Sequence, residues 1–107
     1  MELGIDINKE DENGETQLFH ACYNESEKIV KYLVEHGIDI NKENEDGETP
    51  LFDACHSGNE TLVKYLVELG VDIKKKRKDG KNPLFYARLK GNEALVKLLV
   101  EHGAEIN

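Results

Sequence analysis

Thr49-Pro-Leu-Phe-Asp-Ala-Cys55 is followed by Gly58, then by Leu62-Val-Lys-Tyr-Leu-Val-Glu68, then by Gly70. This stretch decides the fold, because the chain contains it three times. Its first block recurs as Thr16-Gln-Leu-Phe-His-Ala-Cys22 and as Asn82-Pro-Leu-Phe-Tyr-Ala-Arg88, at a constant step of 33 residues. Its second block recurs as Ile29-Val-Lys-Tyr-Leu-Val-Glu35 and Leu95-Val-Lys-Leu-Leu-Val-Glu101 at the same step. A fixed period of this size marks a stack of supersecondary units, each unable to bury its apolar side alone.

Within a unit the signals read as two helices and a turn. Thr49 and Asn82 precede Pro50 and Pro83, the order of an N-cap and a first-turn proline. Leu51, Ala54 and Cys55 follow at i, i+3 and i+4, one narrow apolar stripe. Gly58 and Gly91 stop this first helix. Asn59, Asn92 and Ser26 stand where they can cap the second, which buries Leu62, Val63, Leu66 and their equivalents. The outer face carries Glu27–Lys31–Glu35 and its two copies at i, i+4 spacing, a solvated charge ladder. After the second helix, Gly37-Ile-Asp-Ile-Asn41 runs into Asp46-Gly47, an extended turn or short hairpin.

These residues resemble the ankyrin repeat: Gly-x-Thr-Pro-Leu, then Ala, Gly-Asn, Val-Lys-x-Leu and Gly-x-Asp-Ile-Asn within 33 residues. The resemblance implies one all-α domain over 1–107, an ankyrin-repeat solenoid of helix-turn-helix pairs joined by short β-hairpin or turn loops. Its units are 11–43, 44–76 and 77–107, the last two residues short, with residues 1–10 as the tail of a preceding unit. Phe19, Phe52 and Phe85 stand where the family usually has histidine, so a hydrogen-bonding ring is replaced by apolar packing. Gln17 replaces proline, and Glu25 replaces the helix-stopping glycine at a cost of about 1 kcal/mol if it takes positive φ. The first unit is therefore expected to be the weakest. Both ends lack a polar capping unit, so the chain reads as a slice of a longer array or as one that stacks end to end with a copy of itself.

Composition narrows the function. A charged fraction of 34% and a net charge of −8 suit a thin, heavily solvated object and disfavour nucleic acid and anionic membrane. Neither a signal peptide nor a membrane span is expected, and cytoplasmic residence, with nuclear entry as the alternative, follows. Cys22 and Cys55 are equivalent positions, hence buried counterparts and not a disulfide pair. No nucleophile elbow, phosphate loop or His-Glu-x-x-His occurs, so no catalytic residues and no cofactor are expected. His20 and Cys22 lie two apart on different helix faces, and no metal site is expected in the chain.

What the resemblance implies instead is recognition of another protein through hairpin tips and the exposed side of the first helices. By position these are Glu12, Asn13, Glu15, Tyr23 and Asn24, then Glu45, Asp46, Glu48, His56 and Ser57, then Lys78, Asp79, Lys81, Leu89 and Lys90. Charge divides along the array: residues 1–73 carry net −13 and residues 74–107 net +5, the switch falling at Lys74-Lys-Lys-Arg-Lys78. That run also reads as a short nuclear-import signal. The competing function is a spacer or a designed repeat protein with no partner of its own.

Overall fold

The computed structural model of the chain describes residues 6–106. The described residues form six helices in three pairs: α1 (Gln17–Tyr23) with α2 (Glu27–Glu35), α3 (Pro50–Ser57) with α4 (Glu60–Glu68), and α5 (Pro83–Leu89) with α6 (Glu93–Glu101). α1 packs on α3 and α3 on α5, while α4 packs on α6. The body is elongated, 44 × 27 × 21 Å, as a row of units must be.

Burial follows the period. Leu18, Leu51 and Leu84 are sealed, as are Ala54, Ala87, Cys22 and Cys55, and one apolar cluster threads all three units. Equivalent positions differ in burial with their place in the row of described units. Leu62 and Leu95, each in a unit that follows another, are 1% and 0% exposed; Ile29, their counterpart in the first unit, is 51% exposed. At the other end, Cys22 and Cys55 are buried whereas Arg88 is exposed. Each unit completes the next.

The helix starts divide by side chain. Asn59, Asn82 and Asn92 each cap, accepting from the N–H of Leu62, Phe85 and Leu95 at 3.0–3.1 Å. Ser26, expected to cap α2, makes no such bond, and neither do Thr16 and Thr49 ahead of α1 and α3. The hydroxyls of those two threonines are buried without a hydrogen-bond partner. Since a stranded buried hydroxyl costs about 1–3 kcal/mol, Thr49→Val is expected to raise stability by about 1 kcal/mol in urea denaturation. Glu25 takes φ +58°, the strained conformation its glycine counterparts Gly58 and Gly91 adopt freely.

The connections are tight turns, and no strand is assigned among the described residues. The expected hairpin is reduced to one closure per unit. Asn44 N–H donates to Glu48 O at 2.9 Å and Gly47 N–H to Asn44 O at 3.0 Å, and the same pairs recur at 11–15 and 77–81. With so few residues between tip and helix, no second rung of a ladder has room to form.

Candidate functional site

The tips are built on one side chain per unit. Asn44 is buried, and its Oδ1 accepts from Asp46 N–H and Glu48 N–H at 3.0 and 2.9 Å. Its Nδ2 donates to Glu48 Oε1 in its own unit and to Glu15 Oε2, at 2.8 Å, in the unit before. Asp11 does the same for the first tip, accepting from Asn13 and Glu15. The hydrogen bond from Glu15 N–H foremost holds its carboxyl below the ordinary range. In the third unit the place is taken by Arg77, which reaches back to Glu48 Oε2 at 3.1 Å and also bonds the Tyr86 hydroxyl. Backbone bonds join the tips as well, Glu45 N–H to Asn13 O and Lys78 N–H to Asp46 O, both 3.0 Å.

This sorts the residues read from the sequence. Glu12, Asn13, Glu45, Asp46, Lys78, Asp79 and Lys81 stand exposed at the tips, and Tyr23, Asn24, His56, Leu89 and Lys90 stand exposed at the ends of α1, α3 and α5. Three others are tied into the scaffold. Glu15 and Glu48 are half-buried and bonded as above; Ser57 is half-buried, its hydroxyl donating to Tyr23 O at 2.9 Å in the preceding unit. These three fasten unit to unit. Within the basic run, Lys75 pairs with Glu43 at 3.0 Å and Arg77 with Glu48, so Lys74, Lys76 and Lys78 are its exposed members.

The period aligns Tyr23, His56 and Leu89 across the units. The rings of Tyr23 and His56 stack at 5.9 Å and 12°, and Tyr86 meets His56 edge-on at 6.2 Å. Tyr23 and Leu89 are 57% and 67% exposed, so the row is an accessible apolar ledge. Asp53 and Tyr86, which motif reading passed over, belong to this face. The signal for them was present: they lie one helical turn before His56 and Leu89, on the same side of their helices.

Asp53 is the electrostatic feature of the ledge. Burial pushes its carboxyl up to about 7, and Glu15 and Glu48 add to the effect. An acid whose folded pKa exceeds its unfolded value, 3.8 here, is harmless while protonated in both states. It destabilises progressively as pH rises from there to about 7, and the cost is constant above. Asp53→Asn is therefore expected to stabilise the protein above pH 7, the gain shrinking to nothing below about pH 4 in paired urea titrations.

Other chemistry is sparse. Cys22 and Cys55 are free and buried, and burial raises both thiols, Cys22 to about 12, which keeps them protonated and unreactive. None of the described helices is long and apolar enough to cross a membrane. No curated protein matches the chain. A family model described as ankyrin repeats (3 copies) matches residues 1–77 and 43–107, which together span the sequence. Such repeats generally serve as protein–protein interaction modules and are typically not enzymes. With the period, the paired helices and this match in agreement, the chain belongs to the ankyrin-repeat family.

Proposed function

We propose that the chain is a non-catalytic recognition module. It holds one protein partner along the ledge of Tyr23, His56 and Leu89 and the tips of the three units. The observation that carries the reading is a contrast between positions. In the buried core the residues repeat: Leu18, Leu51 and Leu84, for example. At the ledge they diverge, as Tyr23, His56 and Leu89, and at the third tip Lys78 stands where the first two tips have Glu12 and Glu45. A scaffold needs sameness in its core and difference where it meets something else.

The charge division gives the partner a polarity. A segment lying along the face meets carboxylates at Glu12, Glu45 and Asp46 and ammonium groups at Lys78, Lys81 and Lys90, so its basic end is favoured at the first unit and its acidic end at the third. Binding weakens with salt as exposed charges are screened. The buried, protonated thiols suit a reducing compartment, and cytoplasmic residence is proposed with them, nuclear entry being the alternative that the exposed lysines of the basic run leave open.

The test is affinity capture with the 107-residue chain at low and high salt, alongside a Tyr23→Ser, His56→Ser, Leu89→Ser variant. A control carries changes on the outer faces of α2, α4 and α6, at Lys31, Lys64 and Lys97. Glu15, Glu48 and Ser57 are left intact because altering them loosens the joints. A saturable partner, kept by the control and lost by the ledge variant, is the expected result. Failure to retain any partner saturably at any salt favours the spacer reading, which the close likeness of the three units supports.

A further inference from the structure

The turn ahead of α1 brings together three side chains of the first unit that no sequence motif links. One ligand atom each from Asp11, Glu15 and His20 lies within 4.8 Å of the others. His20 Nε2 stands 3.1 Å from Asp11 Oδ2. Both carboxylates are held from behind. Asp11 uses Oδ1 for the N–H groups of Asn13 and Glu15, which leaves Oδ2 facing the cluster. Glu15 is anchored through Oε2 by Asn44 Nδ2 at 2.8 Å. Ligands oriented by such outer bonds lose less freedom when they close on an ion.

We propose that Asp11, Glu15 and His20 form a binding site for one divalent transition-metal ion of the zinc class. One imidazole nitrogen and two carboxylate oxygens make a three-ligand set that leaves a fourth position for water. The nitrogen selects against calcium and magnesium, which take oxygen donors. Zinc bonds of about 2.0–2.2 Å in tetrahedral array place ligand atoms roughly 3.4 Å apart, so the cluster must draw in by about an ångström. His20 and Asp11 side chains are 55% and 36% exposed, free enough to do so. The acidic first two units favour a cation, with Glu10 bordering the same hollow; Lys9, also on its rim, opposes it.

The site is confined to the first unit. The equivalent positions hold Asn44, Glu48 and Asp53 in the second and Arg77, Lys81 and Tyr86 in the third, neither set containing an imidazole. The other described histidines, His36, His56 and His102, belong to no comparable group of ligands among the described residues. A stoichiometry of one ion per chain follows.

Isothermal calorimetry of the 107-residue chain with zinc chloride at neutral pH, in a non-coordinating buffer, tests this. One equivalent is expected, with calcium and magnesium failing to compete. His20→Gln and Glu15→Gln should each weaken binding by at least about tenfold, with circular dichroism confirming that each variant stays helical. His102→Gln should leave it unchanged. The site is refuted by absence of saturable binding, by His20→Gln binding as tightly as the wild type, or by equal losses from His20→Gln and His102→Gln.

Discussion

Leu62→Ala is expected to destabilise the protein by about 2–5 kcal/mol, whereas Ile29→Ala, the same place one unit earlier, should cost less than about 1 kcal/mol. The two side chains are isomers on equivalent helices. What separates them is burial: Leu62 is sealed and Ile29 is half in water, and among the described residues a helix pair precedes the unit of Leu62 and none precedes that of Ile29. Truncating Leu62 removes methyl groups from a close-packed joint and leaves a cavity, while truncating Ile29 removes surface that is half in water already. Urea denaturation of both variants checks the difference. Similar losses at the two positions would mean that burial is not set by the neighbouring unit.

The second large effect concerns how closely the tips approach. Gly47 has φ +83°, and a Cβ built there would stand 3.3 Å from the backbone nitrogen of Lys78 and 3.5 Å from Arg77 Cα. Gly70 has a similar φ, +91°, yet a Cβ there would meet nothing within 4 Å. Gly70→Ala therefore isolates the conformational cost, about 1–2 kcal/mol. Gly47→Ala adds displacement of a backbone whose N–H, at Lys78, bonds Asp46 O. The expected loss is greater than at Gly70 by about 1 kcal/mol or more, of the order overpacking exacts, again read by denaturant midpoint.

Much of this fold was legible from spacing alone. The step between Leu18, Leu51 and Leu84, the prolines after Thr49 and Asn82, and the asparagines before α4 and α6 each announce a local structure that tertiary packing then keeps. Legibility fails where a residue acts between units. Glu15 and Glu48 look like exposed tip carboxylates in sequence, but their partners, Asn44 and Arg77, lie 29 residues further on, beyond any local pattern. Ser57 is misread for the same reason, its partner being a backbone carbonyl of another helix. The Asp11, Glu15 and His20 cluster was hidden differently. Its members straddle a turn and a helix, so neither helical nor strand periodicity relates them.

Thr16, Thr49 and Ser26 show a further limit. Residue type alone proposes a cap, but whether the oxygen reaches an N–H depends on χ1 and on what packs beside it. Asparagine, longer by one bond, reaches at Asn59, Asn82 and Asn92. Threonine and serine at the equivalent starts do not. The two threonine hydroxyls are buried and find no other partner. These are small costs individually, and they mark the first helix starts as places where stability is readily gained.

The central claim is that successive helix pairs shield one another in a row, with no common centre. Duplicating residues 44–76 immediately after Lys76 tests it most directly. A row lengthens without conflict, so a four-unit chain should fold with a higher denaturant midpoint and a steeper transition, reflecting one more joint and more buried surface. A lengthened chain that unfolds at lower denaturant than the three-unit protein, or fails to fold cooperatively, would show that the three pairs close around a shared core and would contradict the account.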